Sequence, residues 1–420
     1  MTTAGGGGRE AAGARGRATA VVGAGILGLA VAREVLRREP GSTVTVLEAA
    51  DDLGAGQSGH NSGVVHAGLY YEPGSLKARL CRRGMGLLRD FCAEHGVAYR
   101  ELGKVVVATT ADEVAGLDRI EERSRRNEVP GLARLDRTGL AEVEPWVEGV
   151  AALHSPRTAV VDYVAVCRAL ADDVRAAGGE VRYGAPVTAV RPAGDRVHVV
   201  TGGPGGAALD VDRLVACAGV HSDQVASLVG VLRDVRADVR IVPFRGEYHR
   251  LGPDVRDRVR GLVYPVPDPR YPFLGIHLTR TVDDEVLVGP NAVLALARDG
   301  YRWRDVDLRD LREVLAWPGT RRLAAQHWRT GARELAGSVS RRRFAAEAAR
   351  YLPGLTVRDL VPATSGVRAQ AVGRDGSLVD DFVVQRVGPV ALVRNAPSPG
   401  ATSSLAIAEH VLDLLADPTA

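Results

Sequence analysis

The hydrophobic pattern is strongest near the amino end, where ATAVVGAG (18–25) is apolar up to a glycine turn, ILGLAVAREVLRRE (26–39) is apolar at helical spacing, and STVTVLEA (42–49) is strand-like and closes at Glu48. A short strand apolar on both faces, an amphipathic helix and a second strand predict a βαβ unit of a parallel sheet. Residues 75–95 predict an amphipathic helix. KVVVATT (104–110) predicts a strand that leads into a charged helix over 112–128. A further helix follows Asp162-Tyr163 and runs to the glycines at 178–179, after which EVRYGAPVTAV, DRVHVVT and DRLVACAG are three strand candidates separated by turn residues.

Between about 236 and 354 the texture changes to short strands rich in proline (RIVPFRGEYH, GLVYPVPDPRYPFLGIHLTR, DEVLVGPNAV), followed by an arginine-rich helical stretch. The tail returns to the earlier style, with strand VALVRNA, turn PSPG and helix ATSSLAIAEHVLDLL. The expected class is therefore α/β, with a doubly wound parallel domain assembled from 18–95, 160–235 and 355–420. A second, α+β domain on an antiparallel sheet takes 96–159 and 236–354. Residues 1–17, dominated by Gly, Ala and Arg without apolar periodicity, are expected to be a disordered leader.

Composition narrows the function. At 420 residues and 45% hydrophobic the chain can bury two cores, and its net charge of +3 argues against a nucleic-acid surface. The longest apolar stretch, Ala20 to Ala32, is 13 residues with three glycines, too short for a bilayer. Four cysteines (Cys81, Cys92, Cys167, Cys217) show neither metal-ligand nor scaffold spacing and read as reduced cytosolic thiols, so no metal is expected. The expected location is cytoplasmic, with peripheral contact at the inner face of the cell membrane left open by the arginine-rich region.

Gly23, Gly25 and Gly28 make GxGxxG, a string that 49 glycines produce readily by chance; its setting is what carries weight. It joins a strand to a helix, and Glu48 ends the next strand 20 residues on, as a dinucleotide site requires for the tight turn, the pyrophosphate at a helix amino terminus and the ribose hydroxyls. The small and hydroxyl residues that follow, including Ser58, His60, Asn61 and Ser62, suit an extended FAD better than NAD. No second such motif offers a place for a nicotinamide, so electrons should enter from the substrate. Gly219 ends a later strand, and SPGATSS sets Gly400 and Thr402 at a helix start, where the positive dipole end would stabilise charge on reduced flavin.

The segments SGHNSGVVHAGLYYEPGSLKARLC (58–81), IVPFRGEY (241–248), YPVPDPRYPFLGIHLT (264–279), GPNAVLA (289–295), GVRAQ (366–370) and VRNAPSPGATSS (393–404) resemble the L-2-hydroxyglutarate oxidases and dehydrogenases, members of the FAD-dependent D-amino-acid oxidase-like superfamily. The resemblance implies a GR2-type Rossmann-like FAD domain and oxidation of L-2-hydroxyglutarate to 2-oxoglutarate, with electrons passed to oxygen or a quinone; a FAD-dependent amine or amino-acid oxidase of the same superfamily and a non-catalytic flavin-binding protein are the alternatives. Gly400 stands where the family pattern has alanine.

Read as a strand, VVHAGLY puts His66, Gly68 and Tyr70 on one face, and FLGIHLT does the same for Gly275, His277 and Thr279. The glycines would leave room for a ligand. Oxidising a secondary alcohol sends hydride toward flavin N5 and a proton to a base, and a neutral imidazole suits that role. His66 is the expected base and His277 the second candidate, while His60 contacts the isoalloxazine. Two substrate carboxylates call for cationic donors, for which Arg245, Arg368 and Arg394 are the candidates. Tyr70, Tyr248 and Tyr264 are candidates to orient the hydroxyl. Glu72 and Lys77, beside the EPGS turn, are expected at the surface.

Overall fold

A computed structural model describes residues 16–204, 206–229, 239–267, 274–338 and 340–417. Most of the leader (1–15) and the central part of the 264–279 motif (268–273) lie outside the described residues.

Among the described residues, six strands form the first sheet, in the spatial order Val383–Val387, Val390–Asn395, Arg213–Ala216, Ala18–Val22, Thr43–Leu47, Glu180–Arg182. All pairings are parallel except that of the Val383–Val387 edge strand. The central strand Ala18–Val22 is buried along four of its five positions, which is why its sequence is a continuous apolar run. One face is covered by the helices Ile26–Arg38, Leu76–Glu94, Tyr163–Ala176 and Ser404–Ala416, whose apolar stripes share a core around Leu29, Val31, Leu170 and Ile407. The other face is covered by the helix Ser222–Leu228 and by an antiparallel meander of Val187–Ala193, Arg196–Thr201 and Ala208–Val211. The sequence pattern had merged the first meander strand with the edge strand Glu180–Arg182; Gly184, at φ +58°, separates them.

Local chemistry sets the helix ends. Ser75 accepts a hydrogen bond from the amide of Ala78, and Asp162 from that of Val164, so both carboxyl-ward helices start on a side-chain cap. Gly178, at φ +83°, stops the second of these.

Among the described residues the second sheet has nine strands and is mostly antiparallel, with Lys104–Ala108, Ala151–Ser155, Leu262–Pro265, His277–Arg280 and the long Val239–Leu251 among them. Its outer face packs on Phe344, Tyr351 and Leu352 of the arginine-rich region. Leu360–Gly373 pairs along almost the whole of Val239–Leu251, so it is built into this sheet. The sequence division had given 355–373 to the first domain. The alternation in that segment is that of a half-exposed antiparallel strand, and a continuous apolar run resumes only at Val390. A small sheet of Val64–Val65, Ala159–Val161 and Tyr99–Glu101 lies where the chain passes from one unit to the other.

Candidate active site

Between the two sheets lies a cavity of about 1730 Å³. A typical single-ligand pocket holds roughly 300–1,000 Å³, so this one has room for a dinucleotide and a small substrate together.

One end is built by the glycine turn. Gly23 sits at φ +98°, and a Cβ there would lie 2.6 Å from the Cys217 carbonyl oxygen, so only glycine lets the two strand ends approach. Gly25 faces the cavity, and a Cβ at this position would meet the Ser58 hydroxyl at 3.2 Å. Glu48 accepts from the Ala24 amide (2.6 Å) and the Ala50 amide (2.9 Å), which fixes its carboxylate in the cavity wall beside the turn. Gly28, predicted with the other two as a cofactor contact, does not line the cavity. Its Cβ would fall 1.9 Å from the Gly23 carbonyl oxygen, so its smallness serves the packing of helix against turn.

The middle is lined by Ser58, His60, Asn61, Ser62 and Gly219 on one side and by Pro397–Thr402 on the other. Asn61 holds its loop by donating to the carbonyls of Gln57 and Ser58 and accepting from the Gly63 amide. His60 stacks on Tyr301 with ring centroids 3.8 Å apart, and its Nδ1 is buried without a hydrogen-bond partner. Gly400 belongs to the tight turn before helix Ser404–Ala416; a Cβ would meet the Ala396 carbonyl oxygen at 2.5 Å. Thr402 is buried, sharing a 3.1 Å hydrogen bond with the Tyr163 hydroxyl and accepting from the His66 amide at 3.1 Å. It therefore ties the helix start to the histidine segment.

The far end gathers the substrate candidates His66, His277, Tyr70, Tyr248, Tyr264 and Arg368 in one wall. His66 Nε2 lies 3.2 Å from the Ser398 hydroxyl. The strand expected for 64–70 stops at Val65. Gly68, at φ +97°, breaks the extended run and does not line the cavity. His66 and Tyr70 nevertheless share the cavity side, while Val65, Ala67 and Leu69 are buried behind them.

His277 Nδ1 is 2.9 Å from the Gly275 carbonyl, to which its N–H donates, leaving Nε2 as the basic nitrogen. Gly275 itself does not line the cavity, and Thr279 is buried in the sheet. Burial pushes His277 down to about 3 and His66 well below the usual imidazole value, the nearby Lys104 adding to both. Both rings are thus neutral at physiological pH. The Tyr248 hydroxyl bonds to Ser62 and Arg368, and burial holds it protonated; the Tyr70 hydroxyl is buried with no partner.

Arg394 also reaches the wall, its Nη1 3.4 Å from the Gln385 side-chain oxygen. Arg245 does not. On the strand Val239–Leu251 it has the opposite parity to Gly246 and Tyr248, which face the cavity, and its guanidinium lies buried 4.1 Å from the Trp303 ring centroid. Lys77, expected at the surface, is only 5% exposed and lines the cavity, its Nζ 2.7 Å from Asp380. Sequence reasoning also passed over Tyr301 and Lys104; the latter is a lone charge in an otherwise apolar strand, a signal that was there to be read. All four cysteines are buried free thiols.

The glycine cradle, the fixed Glu48 carboxylate and the unpartnered His60 and Tyr70 atoms along one continuous cavity fit an elongated dinucleotide ending beside a polar ligand. The model of the FAD dependent oxidoreductases matches residues 18–414. The chain belongs to the FAD-dependent oxidoreductase family.

Relatives are similar along nearly all of it. An L-2-hydroxyglutarate dehydrogenase of Nematostella vectensis is 44% identical, covering 95% of this chain and 90% of the relative. Another, of Indibacter alkaliphilus, is 40% identical over 94% of this chain and 97% of its own length. Among solved structures, the L-α-glycerophosphate oxidase of Mycoplasma pneumoniae with FAD bound superposes with a TM-score of 0.75 at 20% identity, covering 95% of this chain and 94% of that one, which bears on the fold. The cofactor of this family member is FAD, and its fold is that of a flavin-dependent oxidoreductase.

Proposed function

We propose that the protein oxidises L-2-hydroxyglutarate to 2-oxoglutarate. The observation that carries this reading is the single cavity wall that combines two neutral imidazoles with the cationic side chains of Lys77 and Arg368. An alcohol needs a base and a diacid needs cations. The full-length similarity to L-2-hydroxyglutarate dehydrogenases supports the same substrate.

Bound FAD supplies a two-electron acceptor for the hydrogen on the hydroxyl-bearing carbon; Gly23, Gly25, Glu48, Ser58, His60–Ser62, Gly219 and the 400–402 turn would hold it. The chain's own contribution is placement and proton transfer. Arg368 and Lys77 draw in the two carboxylates, and Tyr70 and Tyr264 close the wall around the carbon chain. Tyr248 is held by Ser62 and Arg368. As the C2–H bond breaks and its electron pair leaves with the hydride, the hydroxyl proton passes to His66 and the C2–O bond becomes a carbonyl. His277, with Nδ1 already committed to Gly275, orients the same hydroxyl through Nε2.

The electrons then pass to oxygen or a quinone. No described helix is long and apolar enough to cross a membrane. We place the enzyme in the cytoplasm, with peripheral contact at the inner membrane face supported by exposed Leu308, Leu315 and Trp328 on the arginine-rich helices Leu308–Ala316 and Pro318–Ser338.

Anaerobic mixing of the yellow holoenzyme with substrates tests the reading. L-2-hydroxyglutarate is expected to bleach the flavin, and its D form and amino acids to leave it oxidised. Bleaching by amino acids and not by the hydroxy acid would overturn it.

A further inference from the structure

Behind the cavity wall lies a charge that the reaction above does not use. Lys104 begins the strand Lys104–Ala108 and is 1% exposed. Its Nζ has no hydrogen-bond partner, and no carboxylate among the described residues pairs with it. A buried ammonium in such a place is costly, so the group either gives up its proton or gains an anion.

The register of the sheet shows where the amine points. Lys104 lies opposite Leu262, and Val106 opposite Tyr264, on the neighbouring strand Leu262–Pro265. Leu262 in turn lies opposite Thr279, two residues from His277. Period two puts Lys104, Tyr264 and His277 on one face. Nζ accordingly sits 4.1 Å from the Tyr264 ring centroid and 5.4 Å from that of Tyr70, and Tyr264 stacks on His277 at 3.9 Å. Both tyrosine rings line the cavity; Lys104 does not. The amine is therefore one aromatic layer away from the space the substrate would occupy.

We propose that Lys104 is the charge partner of the diacid across this tyrosine layer, taking up a proton as a dicarboxylate enters, so that binding is proton-coupled. The proposal rests on the 2-hydroxy dicarboxylate reading above and assigns Lys104 a positioning role, because it touches neither substrate nor cofactor.

Burial holds the free amine down at about 7, so it is half-charged near neutrality, with the Cys81 thiol opposing the effect of burial. The other titratable groups that face it are His66 and Tyr70 from the segment after Val64–Val65, and Tyr264 and His277 from the two adjoining strands. Lys77 on helix Leu76–Glu94 and Arg368 on Leu360–Gly373 add positive charge to the same region. A dianion in the cavity favours the protonated amine. The charged amine in turn disfavours protonation of His66 and His277, so anion binding and the preservation of the bases fall to different groups. Affinity for the diacid should hold steady below about pH 7 and fall as pH rises above it, since the proton must then be taken from a scarcer supply.

The test is calorimetric titration of the oxidised holoenzyme with 2-oxoglutarate, in buffers of different ionisation enthalpy, between about pH 6 and 9. Wild type is expected to take up protons on binding above about pH 7. Lys104→Met is expected to bind about tenfold more weakly below that pH, with the uptake gone. Lys104→Arg, which keeps a fixed charge, is expected to bind without uptake and with an affinity flat across the range. Retained flavin absorbance shows that each variant is folded. Wild-type binding without proton uptake, or undiminished affinity and uptake in Lys104→Met, would overturn the assignment of Lys104 while sparing the substrate reading. Failure of wild type to bind 2-oxoglutarate at any pH would remove both.

Discussion

At the scale of single residues, the proposed chemistry rests on His66. Its backbone amide is fixed by Thr402 and its Nε2 lies beside Ser398, so the ring cannot drift far from the cavity floor. His66→Ala is expected to slow flavin reduction by L-2-hydroxyglutarate by about 10²–10⁴-fold, the usual worth of a positioned base. Flavin content should be unchanged. Because burial lowers both imidazoles, the base form persists as pH falls through 6.5, and the acid limb of kcat/KM should lie below that value. A limb at or above 6.5 in a pH series of the reductive half-reaction would contradict this.

The arginines show how far a motif can be read. Arg245 and Tyr248 were both expected in the wall, yet positions three apart on one strand have opposite parity, so the segment itself said that only one could face in. Lys77 failed for a different reason: the EPGS turn reads as surface, but the first helical turn is met by Asp380 and Asp381, some three hundred positions away, and by the Tyr71 ring.

Elements explain why the glycine motif is more than a cofactor signature. Its first two glycines shape the turn and the cavity wall, and its third lets helix Ile26–Arg38 lie on the Gly23 carbonyl. Gly28→Ala should therefore destabilise the protein with or without FAD, by about 1–3 kcal/mol if the helix shifts to make room. Gly25→Ala faces only the Ser58 hydroxyl and should lower FAD affinity while leaving the apoprotein's Tm within about 1–2 °C of wild type. Thermal unfolding with and without added FAD separates the two. The βαβ unit, the helices at 75–95 and 163–176 and the tail helix were legible because their periods are long, and the middle two also because Ser75 and Asp162 cap them. The strand Leu360–Gly373 was not, since membership of one sheet or the other is decided by a partner more than a hundred residues away.

The whole molecule works because two sheets face one cavity, and that arrangement needs a clamp. Arg298, from the segment between the strand Val293–Leu294 and the helix Leu308–Ala316, makes a paired contact with Asp223 of helix Ser222–Leu228 (2.7 and 3.1 Å), and both are buried. Asp223 also accepts from the Ile241 amide. Nearby, His221 Nε2 lies 2.8 Å from an Asp299 carboxylate oxygen, and Tyr301 stacks on His60. Arg298→Met would leave the Asp223 carboxylate buried without its cation, and a loss of about 3–5 kcal/mol is expected, seen as a lower Tm of the holoenzyme. The doubly wound class, the FAD site and the second antiparallel unit could be inferred from pattern and resemblance. The clamp could not, because it depends on contacts between residues 75 positions apart that carry no local signature.

The central claim, that this cavity removes two electrons from the hydroxyl carbon of L-2-hydroxyglutarate, is tested most directly by an anaerobic single turnover in which product is counted against flavin. One 2-oxoglutarate formed per FAD bleached by the L substrate, with none from the D form, is the expected result. Flavin that stays oxidised, or bleaches without 2-oxoglutarate appearing, would contradict it.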